Sequence, residues 1–175
     1  MKLFSFLFII LFTSFSNEKI PWSEDVKLTW DDFKGRPDMR SSYVAMTNSG
    51  IVFSYRVTSE NGNLSLTTEV EAQFHPEMSW YKPDKVNNHV LQHEQGHFNI
   101  TEIHARKLRK AFAEYKVTRN YERELSAIFT RINRERQVMQ DRFDKETNHS
   151  QNKEKEAEWQ TFINNELKRL EKWKN

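Results

Sequence analysis

Two histidines and a glutamate form the pattern His-Glu-x-x-His at residues 93–97, and these residue types can bind a metal ion and transfer protons. An α-helix turns once in about 3.6 residues, so His93 and His97 would lie on one face and could bind the same metal ion. Imidazole suits zinc, which lowers the pKa of a bound water molecule to about 7. Glu94 would lie beside that water and accept its proton. The pattern therefore predicts a zinc-dependent hydrolase with Glu94 as the general base.

A catalytic zinc usually has a third protein ligand, and the polar segment at residues 143–150 contains candidates for it. We predict that His149 is the third ligand. We predict that Asp144 holds a ligand histidine by its free N–H group. An ordinary capping loop explains the segment equally well, because aspartate, threonine, asparagine and serine are common in such loops.

Other histidines and glutamates fit the site less well. On an unbroken helix, His104 lies about 10 Å along the axis from His97, so it cannot share the metal and is expected in the core. Glu102 lies about 140° around the helix from His97, and we expect it to hold an arginine or a loop instead. Glu122 and Glu124 are possible ligands, but they lie among arginines and fit a solvated helix face better.

Helical periodicity predicts three helices in the second half of the chain. The first runs from about Asp84 to Tyr115 and carries the motif. The second runs from about Asn120 to Met139, and the third from about Asn152 to Trp173. Each has an apolar stripe, so we expect the second and third helices to pack around the motif helix.

The first half of the chain has the signals of β-structure. Residues 50–74 alternate between apolar and polar types on both sides of the pair Asn61-Gly62, which predicts a hairpin. Residues 26–30 and 42–47 are predicted to be short extended segments. The predicted fold class is α+β, with a small antiparallel sheet followed by three packed helices and a zincin-like motif helix.

Composition excludes several other classes of protein. The net charge is +2 with 30% charged residues, so the charges are nearly balanced, and we expect no nucleic-acid partner. The sequence has no cysteine, which excludes disulfide bonds and thiolate metal sites.

The first 16 residues have the pattern of a secretory signal peptide. Lys2 precedes an apolar run that is short for a membrane span of about 20 residues. The small residues Ser14 and Ser16 precede the expected cleavage site. We therefore predict one zinc metallopeptidase domain at residues 17–175, secreted or periplasmic, with no transmembrane segment after cleavage. The alternative is an uncleaved anchor.

Three segments together resemble a known family of secreted bacterial proteins. The family is classed as a domain of unknown function and is described, from its His-Glu-x-x-His motif, as zinc-dependent proteases. The segments are residues 28–35, residues 93–106, and residues 143–149 followed by Trp159. The resemblance covers nearly the whole chain after the signal peptide and implies a peptide-cleaving activity without indicating a substrate.

The third segment of that family has the pattern Tyr-Asp-x-x-Thr-x-His-Gly. This chain matches it at Asp144, Thr147 and His149, and the match supports His149 as a zinc ligand. Phe143 and Ser150 replace the family's tyrosine and glycine, so the tyrosine hydroxyl is missing here.

These observations predict a secreted hydrolase with one Zn²⁺ per chain, held by His93, His97 and His149, and with Glu94 as the base. We expect it to be a peptidase, whose peptide or protein substrate could bind along a strand edge. Two alternatives remain open. One is a non-catalytic, zinc-stabilised module of the cell envelope that binds a partner. The other is a metal-dependent amidase that acts on a non-peptide substrate such as a cell-wall bond.

Overall fold

The computed structural model describes residues 19–61 and 63–175, and the predicted signal peptide lies outside this part of the chain. Two antiparallel sheets precede three α-helices, which confirms the predicted α+β class. The strands are β1 (Ile20–Pro21), β2 (Ala45–Met46), β3 (Ser49–Glu60), β4 (Asn63–Phe74) and β5 (Trp80–Tyr81). The helices are α1 (Asn88–Ala113), α2 (Tyr121–Thr147) and α3 (Lys153–Arg169).

The predicted hairpin is formed by β3 and β4, which pair from Ser49 opposite Phe74 to Glu60 opposite Asn63. β1 pairs with the other edge of β4, so the strand order is β1-β4-β3. β2 pairs with β5 in a separate two-stranded sheet. Period-two alternation places Val70, Ala72 and Phe74 on the buried face, against α1.

Helix α1 begins at Asn88 because the Asn87 side chain accepts hydrogen bonds from the backbone N–H groups of His89 and Val90. It continues without a break through the motif. One core cluster joins it to the sheet and the first half of α2, and a second cluster joins it to the end of α2 and to α3. The motif helix is therefore packed against the sheet and against both other helices.

Helix α2 is longer than predicted. The sequence places its end near Met139, but the helix continues to Thr147. Phe143 lies one turn beyond Met139 and is fully buried, so the apolar stripe continues through a segment that is otherwise polar. Asp144 consequently lies on a helix facing α1, rather than in a loop.

Residues 26–30, predicted to be a short extended segment, do not form a strand in the structure. Leu28 is buried, but its backbone N–H donates to the Gln95 side chain of α1 instead of to a neighbouring strand. Thr29 then precedes a short 3₁₀ helix at Trp30–Asp32, and Asp32 accepts hydrogen bonds from both the backbone and the hydroxyl group of Thr29. These local bonds replace the ladder of a sheet.

A buried ionic network fixes the second half of α1. The expectation that Glu102 holds an arginine is confirmed, because its Oε1 accepts from Arg106 Nε and from Arg109 Nη1, both at 2.9 Å. Arg106 and Arg109 also donate to the backbone carbonyls of Leu167 and Trp173, which tie the end of α3 and the 3₁₀ turn after it to α1. Among the described residues, no helix is both long enough and apolar enough to cross a membrane.

Candidate metal centre

Three side-chain atoms from α1 and α2 converge at one point. His93 Nε2 and His97 Nε2 lie 3.2 Å apart, and each lies 3.1 Å from Asp144 Oδ1. A tetrahedral zinc with ligands at about 2.0–2.1 Å would separate its ligand atoms by about 3.3 Å. The triangle has the size that one zinc requires, and the three residues could hold a metal ion.

Hydrogen bonds behind the two histidines set which nitrogen faces the centre. Glu156 Oε2 lies 2.9 Å from His93 Nδ1, and Gln140 Oε1 lies close to His97 Nδ1. The Gln140 amide is oriented, since its Nε2 donates to the His97 carbonyl at 2.9 Å. Both Nδ1 atoms therefore donate, and both Nε2 lone pairs point toward Asp144. Three acceptor atoms at this distance repel one another unless a cation or protons lie between them.

The carboxylates around the centre favour positive charge. Burial lowers the pKa of His93, but hydrogen bonds with Asp144 and Glu156 outweigh it and raise that pKa to about 9. Burial raises the pKa of Asp144, but hydrogen bonds with His93 and His97 hold it well below its usual range. Both directions have the same physical cause, the proximity of carboxylates to imidazole rings, which favours positive charge between them.

Glu94 lies beside the centre in a cleft of about 600 Å³. Its side chain is mostly buried, yet no residue in the described part of the chain hydrogen-bonds to its carboxylate oxygens. The Thr47 hydroxyl donates to the Glu94 backbone carbonyl at 3.2 Å and so holds this turn of α1 to the segment after β2. A carboxylate that is fixed by its backbone and free at its oxygens can accept a proton from water or substrate.

Gly96, between the two histidines, allows α2 to approach. A Cβ atom at this position would lie 2.9 Å from two carbon atoms of the Phe143 ring. The same ring stacks on His93 with its centroid 4.3 Å away. Because Asp144 follows Phe143 directly, this close contact is what brings the carboxylate to the histidines.

A left-handed turn follows α2 and directs His149 back toward the centre. Asn148, His149 and Ser150 have φ values of 50°, 50° and 67°, which non-glycine residues rarely adopt in succession. The turn is held by His89, whose Nε2 donates to the Ser150 carbonyl at 2.7 Å. The left-handed φ of Ser150 gives a physical reason for the glycine that the resembling family has at this position.

The structure places the predicted site residues in one cleft. Asp144, however, does not lie behind a histidine as predicted, but faces both of them. His93, Glu94 and His97 lie together, and Asp144 completes the group that could hold a metal. His149 Nδ1 lies 3.3 Å from Asp144 Oδ1, at the rim of the group. Glu156 accepts the hydrogen bond from His93 Nδ1, and it therefore has the role that the sequence analysis predicted for Asp144.

The sequence analysis missed Glu156 and Gln140. A usable signal exists for Glu156, because it lies on the same helical face as Trp159 and Ile163, and all three are buried. A carboxylate on the apolar face of an amphipathic helix requires a partner. Gln140 had no comparable signal, since a glutamine next to an apolar stripe is common on helix surfaces.

The weaker candidates lie outside the centre. His104 is fully buried, and its Nδ1 donates to the Ile100 carbonyl at 2.8 Å, as expected for a core histidine. Glu122 is exposed, and Glu124 accepts hydrogen bonds from Thr118 and Tyr115 at the start of α2.

Fold and site together define an α+β protein with a His-His-Asp group that could hold a metal ion at the base of a cleft. Over residues 26–150 the chain matches the family described as "Bacterial protein of unknown function (DUF922)", and it belongs to that family. The matched range contains the three converging residues and Glu94, and it stops before α3. No curated protein and no solved structure matches the chain.

Proposed function

We propose that this protein is a secreted, zinc-dependent peptidase with one zinc ion per chain. The observation that carries the proposal is the convergence of His93 Nε2, His97 Nε2 and Asp144 Oδ1 in the cleft that Glu94 also lines. Two imidazoles and one carboxylate suit zinc and leave a fourth position open, as in catalytic zinc sites. Magnesium and calcium prefer sites built from oxygen atoms.

Zinc at this position would polarise a carbonyl group and make a water molecule acidic near neutral pH. The chain's own contribution is to move the proton. Glu94 would take it from the attacking water and deliver it to the leaving amine. Its carboxylate accepts no hydrogen bond from the described residues, which supports this role. Glu156 and Gln140 would keep the histidine rings oriented.

A strand edge beside the centre supports a peptide substrate. β2 is paired on one side only among the described strands, by β5, and residues 42–49 line the cleft. An extended peptide could bind there through its backbone, parallel or antiparallel to the strand. The signal-peptide pattern at residues 1–16 supports export of the protein from the cytoplasm.

The proposal is tested by metal content and hydrolysis in the same preparations. We expect about one zinc per chain by elemental analysis, lost in Asp144→Asn and retained in Glu94→Gln. Glu94→Gln should lower casein hydrolysis by at least about 100-fold, as expected for removal of a general base. A wild-type protein that binds no zinc, or a Glu94→Gln variant that is fully active, would overturn the proposal.

The role of His149 as a ligand stays a prediction, and the same measurement tests it. If Asp144 is the third ligand, His149→Ala should retain zinc, because the converging group consists of His93, His97 and Asp144, and His149 Nδ1 lies beside it, 3.3 Å from Asp144 Oδ1. Loss of zinc in His149→Ala with retention in Asp144→Asn would instead support the three-histidine site.

A further inference from the structure

An arginine that the proposed chemistry does not use also lines the cleft. Arg136 lies on α2, about two turns before Asp144, and lines the same cleft as the metal centre. Arg136, Gln140 and Asp144 are spaced by four residues, so they lie along one face of the helix. Gln140 and Asp144 both serve the metal centre, which leaves Arg136 as the member of this row without a role.

Every hydrogen bond of the Arg136 guanidinium goes to a neutral group. Its Nε donates to Asn133 Oδ1 at 3.0 Å, and its Nη1 donates to the Ser49 carbonyl at 3.1 Å and to Thr101 Oγ1 at 3.5 Å. Within residues 19–61 and 63–175, no hydrogen bond is formed by Nη2, and no carboxylate forms an ion pair with Arg136. The guanidinium is held in place on one side and has donors left on the other.

Burial makes this arrangement costly. Arg136 is half-buried, and burial lowers its pKa, which means that the charged form is partly desolvated without a counterion. Other arginines on α2 avoid this cost, since Arg131 and Arg142 are exposed and pair with Glu135 and Glu146 one turn away. A fixed, desolvated guanidinium that faces a cleft is a typical receptor for a carboxylate.

We propose that Arg136 binds a carboxylate of the peptide substrate, about two or three residues along the substrate from the bond that is cleaved. Along the α2 axis, Arg136 lies about 12 Å from Asp144. An extended peptide advances about 3.3 Å per residue, so such a carboxylate lies roughly 7–10 Å from the cleaved bond, and the arginine side chain spans the remainder. The inference rests on the proposed peptidase function and names its specificity.

The test compares two short peptides that differ only at the C-terminus, one ending in a free carboxylate and the other in a carboxamide. We expect the wild-type protein to cleave the acid faster than the amide, by about 10- to 100-fold in kcat/KM. Arg136→Gln should remove this preference, mainly through the KM of the acid, and should leave the amide nearly unchanged. Arg136→Lys should restore part of it, because lysine keeps the charge and loses the planar pair of donors.

The carboxamide peptide separates recognition from a structural role. Arg136 also joins α2 to β3 through the Ser49 carbonyl, so its loss could disturb the cleft as a whole. Such a disturbance would slow both peptides equally, and that result would overturn the proposal. Arg131→Gln is the matched control, because it makes the same change on the exposed face of α2 and should alter neither peptide.

Two arms of the experiment distinguish the source of the carboxylate. A terminal carboxylate predicts that the preference depends on the free C-terminus at one peptide length. An acidic side chain predicts that amidated peptides with glutamate two or three residues from the bond are favoured over those with glutamine. Absence of any acid preference in both arms would overturn the proposal.

Failure of the proposed function would be recognised separately. If the zinc-loaded protein cleaves no peptide, the proposed peptidase function is wrong. Binding of the same acid and amide peptides is then measured by titration calorimetry. Tighter binding of the acid that is lost in Arg136→Gln would keep the carboxylate site, and equal affinity for the two peptides would overturn it.

Discussion

His93 and His104 are the same residue type on one face of the same helix, and their surroundings are opposite. His93 is held between two carboxylates, and hydrogen bonds to them outweigh its burial and raise its pKa to about 9. His104 is fully buried beside Lys107, and burial lowers its pKa to about 4. The first environment stabilises a cation and the second excludes one. The groups that face each ring from the neighbouring helices, and not α1 itself, distinguish a candidate metal ligand from a core residue.

The largest expected difference between His93 and His104 is their effect on stabilisation by zinc. Zinc at about 1,000 times its dissociation constant should raise the free energy of unfolding of the wild type by about 4 kcal/mol. His93→Ala should abolish this increment, because it removes a ligand atom. His104→Gln should keep the increment, although the variant starts from a lower stability. Urea unfolding with zinc and with a chelator measures both, and an increment that disappears in His104→Gln would show that the two ends of α1 are not distinct.

The second prediction concerns stability in acid. His104 has a folded pKa of about 4 and an unfolded pKa of 6.5, so between these values the unfolded chain binds more protons. The effect of His104 on the free energy of unfolding is constant above pH 6.5. Below pH 6.5 the free energy of unfolding falls, and the loss reaches about 3 kcal/mol at pH 4. Lys107 and Arg136 lower this pKa as burial does, whereas the hydrogen bond to the Ile100 carbonyl and the charge of Glu135 raise it.

His104→Gln should remove this loss, so the stability difference between variant and wild type should shift in favour of the variant from pH 7 to pH 4. Urea unfolding at a series of pH values, with a chelator present, measures it. The chelator keeps the metal centre zinc-free in both proteins, so that its own protonation cancels in the difference. Parallel pH profiles would contradict the buried, neutral state of His104.

The third prediction tests the carboxylate behind His93. Glu156→Gln should weaken zinc binding by about 10- to 100-fold, because a neutral acceptor orients the ring but no longer makes it more basic. Competition with a chelator of known affinity measures the change. Glu158→Gln on the same helix is the control, since Glu158 pairs with Lys155 at the surface and should leave zinc affinity unchanged. Equal affinities for Glu156→Gln and wild type would remove Glu156 from the site.

The features that the sequence reveals here are local ones. The histidine pair can be recognised because residues four apart lie on one face of a helix. The β3–β4 hairpin can be recognised because Asn61-Gly62 lies between two segments with the residue types of strands. The fold class follows from these two patterns.

The position of Asp144 could not be predicted in the same way, because it depends on contacts between helices. Phe143 fills the space left by the missing side chain of Gly96, and this contact turns the polar end of α2 toward α1. Glu156 reaches His93 from α3, 63 residues further along the chain. Residue type indicated that this part of the chain serves the site, but only packing decides which carboxylate faces the metal position and which one supports a histidine.

The smallest predicted effect is at the turn that follows α2. Ser150 adopts a φ of 67°, which costs little for glycine and more for a residue with a Cβ atom. Ser150→Gly should therefore stabilise the protein by up to about 1 kcal/mol, less the entropy that glycine gains in the unfolded chain. Zinc affinity should not change, because the turn keeps its path and its carbonyl still accepts from His89.

Ser126→Gly is the matched control, because Ser126 lies within α2 at an exposed position and glycine there should destabilise the helix by up to about 1 kcal/mol. The two substitutions are chemically identical and should have opposite signs in urea unfolding. Destabilisation by both would mean that the serine side chain contributes more to the turn than its left-handed backbone costs. The turn that presents His149 would then be held by side-chain packing, and glycine in the resembling family would need another explanation.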